Sequence, residues 1–253
     1  MKYEAPDQQG TRHCLSDWLT LHEFDPRTCR QVLDAFPDPS AESFVRETLE
    51  AEWPPLDLEV AWQTTCKALC AFLPRHQGII EDTFQRTAKI IVDRTDGSRK
   101  AITLDNGPEE YPTIVYSYRG DPADCLVLAH EFAHAVQIRA SRGKFVSPIL
   151  RETCAFLGEG ALLSHATRGG SQQIAGLVAA WQSANTRYLG AQKARLRAAL
   201  MRPHTPYKYS WNYPIARHLA ILMSERCSAE VIWCLFEGQL TVSEILQTLA
   251  VEG

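Results

Sequence analysis

The chain lacks several features that would assign it to large classes of protein. Nowhere in its 253 residues does an apolar run approach the roughly 18 residues of a membrane-spanning helix. Met1 to Gly10 is polar and has no apolar leader segment, so no Sec-type signal is expected and a cytoplasmic location is. Non-classical export to a host or neighbouring cell stays open. No run of lysine or arginine stands out and the formal net charge is −4, which disfavours nucleic acid as a partner. The eight cysteines (positions 14, 29, 66, 70, 125, 154, 227 and 234) form no CxxC pair, so reduced, buried thiols are expected rather than a disulfide framework or a cysteine metal site. Internal repeats and low-complexity segments are also missing. The composition, 45% hydrophobic and 22% charged, is that of an ordinary soluble globular protein, and the length suffices to bury a core without staples. One domain spanning 1–253 is the simplest arrangement, and oligomeric state is left open.

What is present is mostly helix. Short helices are expected over about 14–23, 26–36 and 40–52, the second opened by Asp25-Pro26 and the third by Ser40. Trp53-Pro54-Pro55 is a break, and 56–73 carries an amphipathic helical pattern, with helix resuming near 79–85. The pattern then changes: 89–93, 100–104 and 112–118 read as strands, separated by the turn signals Asp96-Gly97 and Asn106-Gly107. After Gly120 the chain reads as helix over 122–141, 148–167, 172–201, 207–223, 227–237 and 241–249. The expected fold class is therefore mainly α (α+β). A helical N-terminal part (1–86) and a small antiparallel β-sheet (87–118) precede a helical part (119–253).

The first of those later helices holds the most informative motif, His130-Glu131-Phe132-Ala133-His134. Two histidines four apart lie on one helical face, one turn from each other, and can offer two imidazole nitrogens to one tetrahedral zinc ion. The glutamate after the first histidine then lies beside the metal, where it can take a proton from a water activated there. Such a site needs a third protein ligand. The next helix, opened by Ser147-Pro148, carries Glu152 and Glu159, seven apart and so two turns along one face. Its other residues are largely apolar, and buried carboxylates want partners. One glutamate suits a ligand and the other a carboxylate behind the ligands that orients a histidine.

The stretch from Tyr116-Ser117-Tyr118-Arg119-Gly120 through His130-Glu131-Phe132-Ala133-His134 resembles the M3 family of zinc peptidases, and most of all its oligoendopeptidase F branch. In that family a strand ends in a short glycine turn, a helix with HExxH follows, and a second helix supplies a zinc-binding glutamate with another seven residues on. The resemblance implies a zincin-like catalytic core of the HExxH-plus-Glu (gluzincin) class. It implies Zn2+ held by His130, His134 and Glu152, with Glu131 as general base. Glu152 follows His134 by 18 residues, a shorter loop than the family usually has. Glu159, at 25 residues, fits the spacing better, and Leu157-Gly158-Glu159-Gly160-Ala161 resembles the zinc-glutamate segment of other gluzincins. Helix context favours Glu152, because loops tolerate shortening, with Glu159 as the orienting carboxylate or alternative ligand.

A second unusual stretch runs from His204 through Tyr207, Tyr209 and Tyr213 to Ala216. Packing of tyrosine rings is one reading. Another is that phenol or imidazole groups here stabilise an oxyanion. The segment is similar to the tyrosine-rich helix of the M3 family, which implies donor roles for Tyr209 and Tyr213, then Tyr207 and His204. His165 and His218 read as structural, and Cys154 as a small buried apolar residue. The resemblance further implies peptide or polypeptide substrates. Family members are usually much longer and enclose their site in a deep channel. A more open cleft is therefore expected here, within reach of longer or folded polypeptides. Three biological settings remain open: a peptide scavenger, an effector or maturation protease with one protein target, and a peptide-binding module that no longer cleaves.

Overall fold

The computed structural model describes residues 13–35, 53, 55–92, 101–169, 174–202 and 204–251. The helix expected over 40–52 and the Asp96-Gly97 turn lie outside these residues. The elements run α1 (Leu15–Leu21), α2 (Pro26–Asp34), α3 (Leu58–Phe72), α4 (Gln77–Arg86), β1 (Ala88–Ile91), β2 (Ala101–Leu104) and β3 (Thr113–Tyr116). They continue with α5 (Pro122–Ser141), α6 (Pro148–Arg168), α7 (Ile174–Asn185), α8 (Lys193–Ala199), α9 (Asn212–Arg226), α10 (Ala229–Phe236) and α11 (Val242–Val251). The fold is mainly α with one small sheet, and no helix among the described residues is long and apolar enough to cross a membrane. Among the described residues no cysteine forms a disulfide.

The sheet differs from expectation. It is mixed rather than antiparallel, with strand order β1-β3-β2. β1 pairs in parallel with β3, Ala88 opposite Thr113 and Ile91 opposite Tyr116, whereas β2 is antiparallel to β3. The reason is topological. A parallel pair needs a long crossover, here the whole run from Val92 to Pro112, so β1 and β2 are not partners, whereas β2 and β3 on either side of Asn106-Gly107 pair antiparallel as expected. Alternation along β3 buries Ile114 and Tyr116. Trp62 of α3 donates its indole N–H to the Tyr116 hydroxyl (2.8 Å), and Phe132 of α5 meets the Trp62 and Phe84 rings edge-on. These aromatics seat the sheet against α3, α4 and α5.

α5 is the central helix, buried on nearly every side. Asp121 caps it by accepting the Asp124 N–H, and Pro122 opens its first turn. Gly120 precedes it at φ +83, with its carbonyl taking N–H groups from Leu56 (3.0 Å) and Trp53 (2.6 Å). A Cβ at Gly120 would lie 2.9 Å from the Leu56 backbone, so this turn requires glycine. α6 lies against α5. They pack closely at Gly158, where a Cβ would stand 2.6 Å from Ala133 Cβ and 2.7 Å from the Ala129 carbonyl oxygen.

Ser147 has N-cap geometry at the start of α6, but its side chain makes no capping bond. His22, just after α1, takes that role, with its Nε2 accepting the Ile149 N–H (3.3 Å) and its Nδ1 bonded to the Trp18 carbonyl (2.8 Å). The helix expected over 172–201 is helical from Ile174 to Ala199, but a π-helical segment, Thr186–Gln192, sits between α7 and α8. That segment faces α9 and brings Tyr188 toward α6.

Candidate metal centre

His130 and His134 stand on the face of α5 turned toward α6, with ring centroids 4.9 Å apart and planes nearly perpendicular. Glu152 reaches across from the second turn of α6. Its Oε2 is 3.3 Å from His130 Nε2 and its Oε1 is 3.8 Å from His134 Nε2. Among the described residues these three are the one group of three or more possible metal donors, with all donor atoms within 4.8 Å of one another. The Oε2 contact is close enough for charge attraction but poorly aligned for a hydrogen bond, and this buried oxygen has no hydrogen-bond partner. A buried carboxylate with one oxygen lacking a hydrogen bond, held this close to two imidazole nitrogens, makes with them a donor set that a cation can join. The donor set, two nitrogens and a carboxylate, suits zinc with one position open.

The other nitrogen of His130 is taken. Nδ1 lies 2.8 Å from Glu159 Oε1, so the two carboxylates of α6 address opposite sides of one ring. Glu159 Oε2 accepts from Arg217 Nη1 of α9 at 2.6 Å. Arg217 is wholly buried; its Nε donates to Asn185 Oδ1 (2.7 Å) and its guanidinium stacks on Trp181.

Glu131 projects beside the cluster. The Thr103 hydroxyl of β2 can donate to Glu131 Oε2 (2.7 Å) or to its carbonyl (2.9 Å), which ties the edge strand to this carboxylate. Tyr209 lies in a short 3-10 turn before α9 and donates its hydroxyl to Glu152 Oε1 at 2.6 Å. Asn212, fully buried, holds that turn through the Tyr209 carbonyl (2.8 Å) and the Tyr207 hydroxyl (2.9 Å), and itself accepts from the Trp18 indole of α1 (2.7 Å). The Tyr213 ring is 5.9 Å from Tyr209 and 6.1 Å from Phe156, a neighbour of His130. His204 is exposed, and among the described contacts of the cluster none involves it. His165, His218 and Cys154 are likewise absent from the cluster, the last two buried.

Charges follow from this geometry. Burial alone would raise Glu152, but His130, His134 and the Tyr209 hydroxyl outweigh it and bring its pKa to about 2. Burial holds His134 neutral, with its pKa down to about 3. His130, between two carboxylates, is pushed well above the ordinary histidine range despite burial. Glu131 moves the other way: burial raises it, against the pull of His130 and Thr103. Glu159 is lowered against its burial by Arg217 and His130.

Sequence reading missed Arg217, Asn212, Thr103 and the His22 cap. Arg217 left one signal, a lone cation inside the apolar run of α9, four residues after Tyr213 and so on the same helical face.

No family model matches the chain, and no curated protein matches it. Solved structures share its fold. One, from Chlamydophila abortus and described as a peptidase, is 13% identical with a TM-score of 0.56, covering 94% of this chain and 49% of that one. Another, from Bacillus anthracis str. Ames and described as an oligoendopeptidase F, is 12% identical with a TM-score of 0.51, covering 97% and 53% respectively. The chain thus spans about half the length of each. At such identities the likeness is one of fold.

Proposed function

We propose that this protein is a zinc-dependent metallopeptidase of the M3 kind, hydrolysing peptide bonds in peptides or a protein target. The observation that carries the reading is the convergence of donor atoms from His130, His134 and Glu152 within 4.8 Å of one another, with Glu131 next to His130 on the same helix. Its fold-sharing neighbours, described as a peptidase and an oligoendopeptidase F, support it. His130, His134 and Glu152 hold the metal. When bound, zinc supplies Lewis acidity, making a water acidic near neutral pH and polarising the scissile carbonyl. Glu131 takes the proton of the attacking water and passes it to the leaving amine. Burial raises its pKa, which suits a group that must both accept and return a proton. Tyr209 turns its hydroxyl from Glu152 to the oxyanion, with Tyr213 as the neighbouring donor. His204, exposed, has no part in this scheme.

The test is metal content with a peptide-library digest of the purified protein. Zinc near one per chain and chelator-sensitive cleavage are expected. Glu131→Gln should keep the zinc and lose about 10²–10⁴ in turnover, the usual worth of a general acid–base group. Full proteolysis by that variant, or zinc bound without cleavage by the wild type, refutes the enzymatic reading.

A further inference from the structure

We infer that Arg217 is a positioning residue of the metal centre, acting through Glu159 to aim His130 Nε2 at the metal position. The inference rests on the metallopeptidase reading and adds a part to it.

Arg217 has no exposed surface, yet its guanidinium is used from several directions at once. Nη1 donates to Glu159 Oε2 (2.6 Å) and Nε to Asn185 Oδ1 (2.7 Å), while Nη2 lies 3.4 Å from the Trp181 carbonyl. The guanidinium carbon is 3.2 Å from the centre of the Trp181 ring. The partners come from the end of α7 and the middle of α6, so the position of one plane on α9 is set by two other helices. A buried pair of this kind is weak evidence for stability, because apolar residues of the same volume often serve as well. What distinguishes it is that it continues. The two oxygens of Glu159 are divided, Oε2 to Arg217 and Oε1 to His130 Nδ1. With Nδ1 held, the ring turns Nε2 toward Glu152. Outer partners of this type fix the orientation of a metal-binding histidine and are worth about 10–100-fold in metal affinity. Lysine could not replace the fork: it offers a point charge on a flexible stem and cannot meet Glu159, Asn185 and the Trp181 face together.

The experiment is a competition titration of Zn2+ against a chromogenic chelator, with the visible spectrum of the Co2+-loaded protein. It uses the wild type, Arg217→Lys, Asn185→Ala and a core variant outside the cluster and its partners, Ile80→Ala. Arg217→Lys should bind Zn2+ about tenfold or more weakly and shift the Co2+ spectrum. Asn185→Ala, which loosens Arg217 without removing the charge, should move both readouts in the same direction by less. Ile80→Ala should lower the melting temperature and leave affinity and spectrum alone, separating positioning from general destabilisation. Wild-type affinity and spectrum in folded Arg217→Lys overturn the inference. If that variant does not fold, the same result in Asn185→Ala overturns it. A wild type that binds neither Zn2+ nor Co2+ overturns the metallopeptidase reading together with it, whereas metal binding indifferent to both variants overturns this inference alone.

Discussion

Gly158→Ala should separate the two helices that carry the metal cluster. A Cβ there would sit 2.6 Å from Ala133 Cβ and 2.7 Å from the Ala129 carbonyl oxygen. Neither obstacle can swing aside, since one is a Cβ and the other is backbone. Carbon atoms pack at about 3.5–4.0 Å, so α5 and α6 must part by about 1 Å. Such overpacking costs about 1–3 kcal/mol. Alanine returns about 1 kcal/mol of helix propensity over glycine. Two backbone-borne clashes put the cost in the upper part of its range, leaving a net loss of about 1–2 kcal/mol. For a chain of this size that lowers the melting temperature by about 2–8 °C. Metal binding at the proposed site should suffer more, because Glu152 rides on α6 and both histidines on α5, and metal–ligand distances tolerate only about 0.2 Å. Gly160→Ala is the control. On the same helix, its Cβ would meet only a Trp181 ring atom at 3.9 Å, an ordinary contact, so this variant should be neutral or slightly more stable. Thermal melts and Zn2+ competition on both variants decide the matter. Gly158→Ala as stable as Gly160→Ala, with undiminished metal affinity, refutes the reasoning.

Other consequences follow from single contacts. Tyr209→Phe should keep its metal and lower kcat by about 10²–10³ with little change in KM, as for removal of an oxyanion donor; an unchanged kcat would move that role to Tyr213. Glu152→Ala should abolish Zn2+ binding, whereas Glu159→Gln should weaken it by about 10–100-fold; the reverse order would exchange their roles. Stability should fall with acid through His22, whose folded-state pKa burial lowers to about 4 from 6.5, so that below pH 6.5 the unfolded chain binds the extra proton. The loss, about 3 kcal/mol, accrues between pH 6.5 and 4. Urea midpoints should decline less steeply over that range in His22→Gln, and an equal slope would exclude His22 as the cause.

The local parts of this molecule were legible in the sequence and the distant partnerships were not. The bounds of α5 and α6 follow from Asp121-Pro122 and Ser147-Pro148, because proline is tolerated in a first helical turn and nowhere deeper. The mutual facing of His130 and His134 follows from helical periodicity. Strand order did not follow, since the hydrophobic pattern of β1 is the same whether it pairs with β2 or β3. Nor did the capping of α6, where Ser147 has the composition of a cap but the bond comes from His22, 127 residues away. Arg217 and Glu159 are 58 residues apart and Trp18 and Asn212 are 194 apart. Each is an ordinary polar residue until the fold buries it beside its partner.

The relation of Glu152 to Glu159 shows how local spacing acquires meaning from packing. Seven residues of helix separate their Cα atoms by about 10 Å along α6. An imidazole laid across the gap presents its nitrogens on opposite edges, and His130 occupies that place, Nε2 toward Glu152 and Nδ1 toward Glu159. Periodicity alone makes the glutamates equivalent, and loop length favours Glu159. The difference arises behind them. Glu159 is bound on its far side by a buried guanidinium, so both its oxygens are occupied. Glu152 is met by a half-exposed phenol that can turn away, and it keeps one oxygen without a hydrogen bond. A carboxylate already neutralised by arginine has little to offer a cation, whereas one hydrogen-bonded only by a movable hydroxyl and facing two imidazoles has a lone pair to give with them. This asymmetry, set by α9 and the turn before it rather than by α5 or α6, supports Glu152 as the metal ligand and Glu159 as the carboxylate that orients His130.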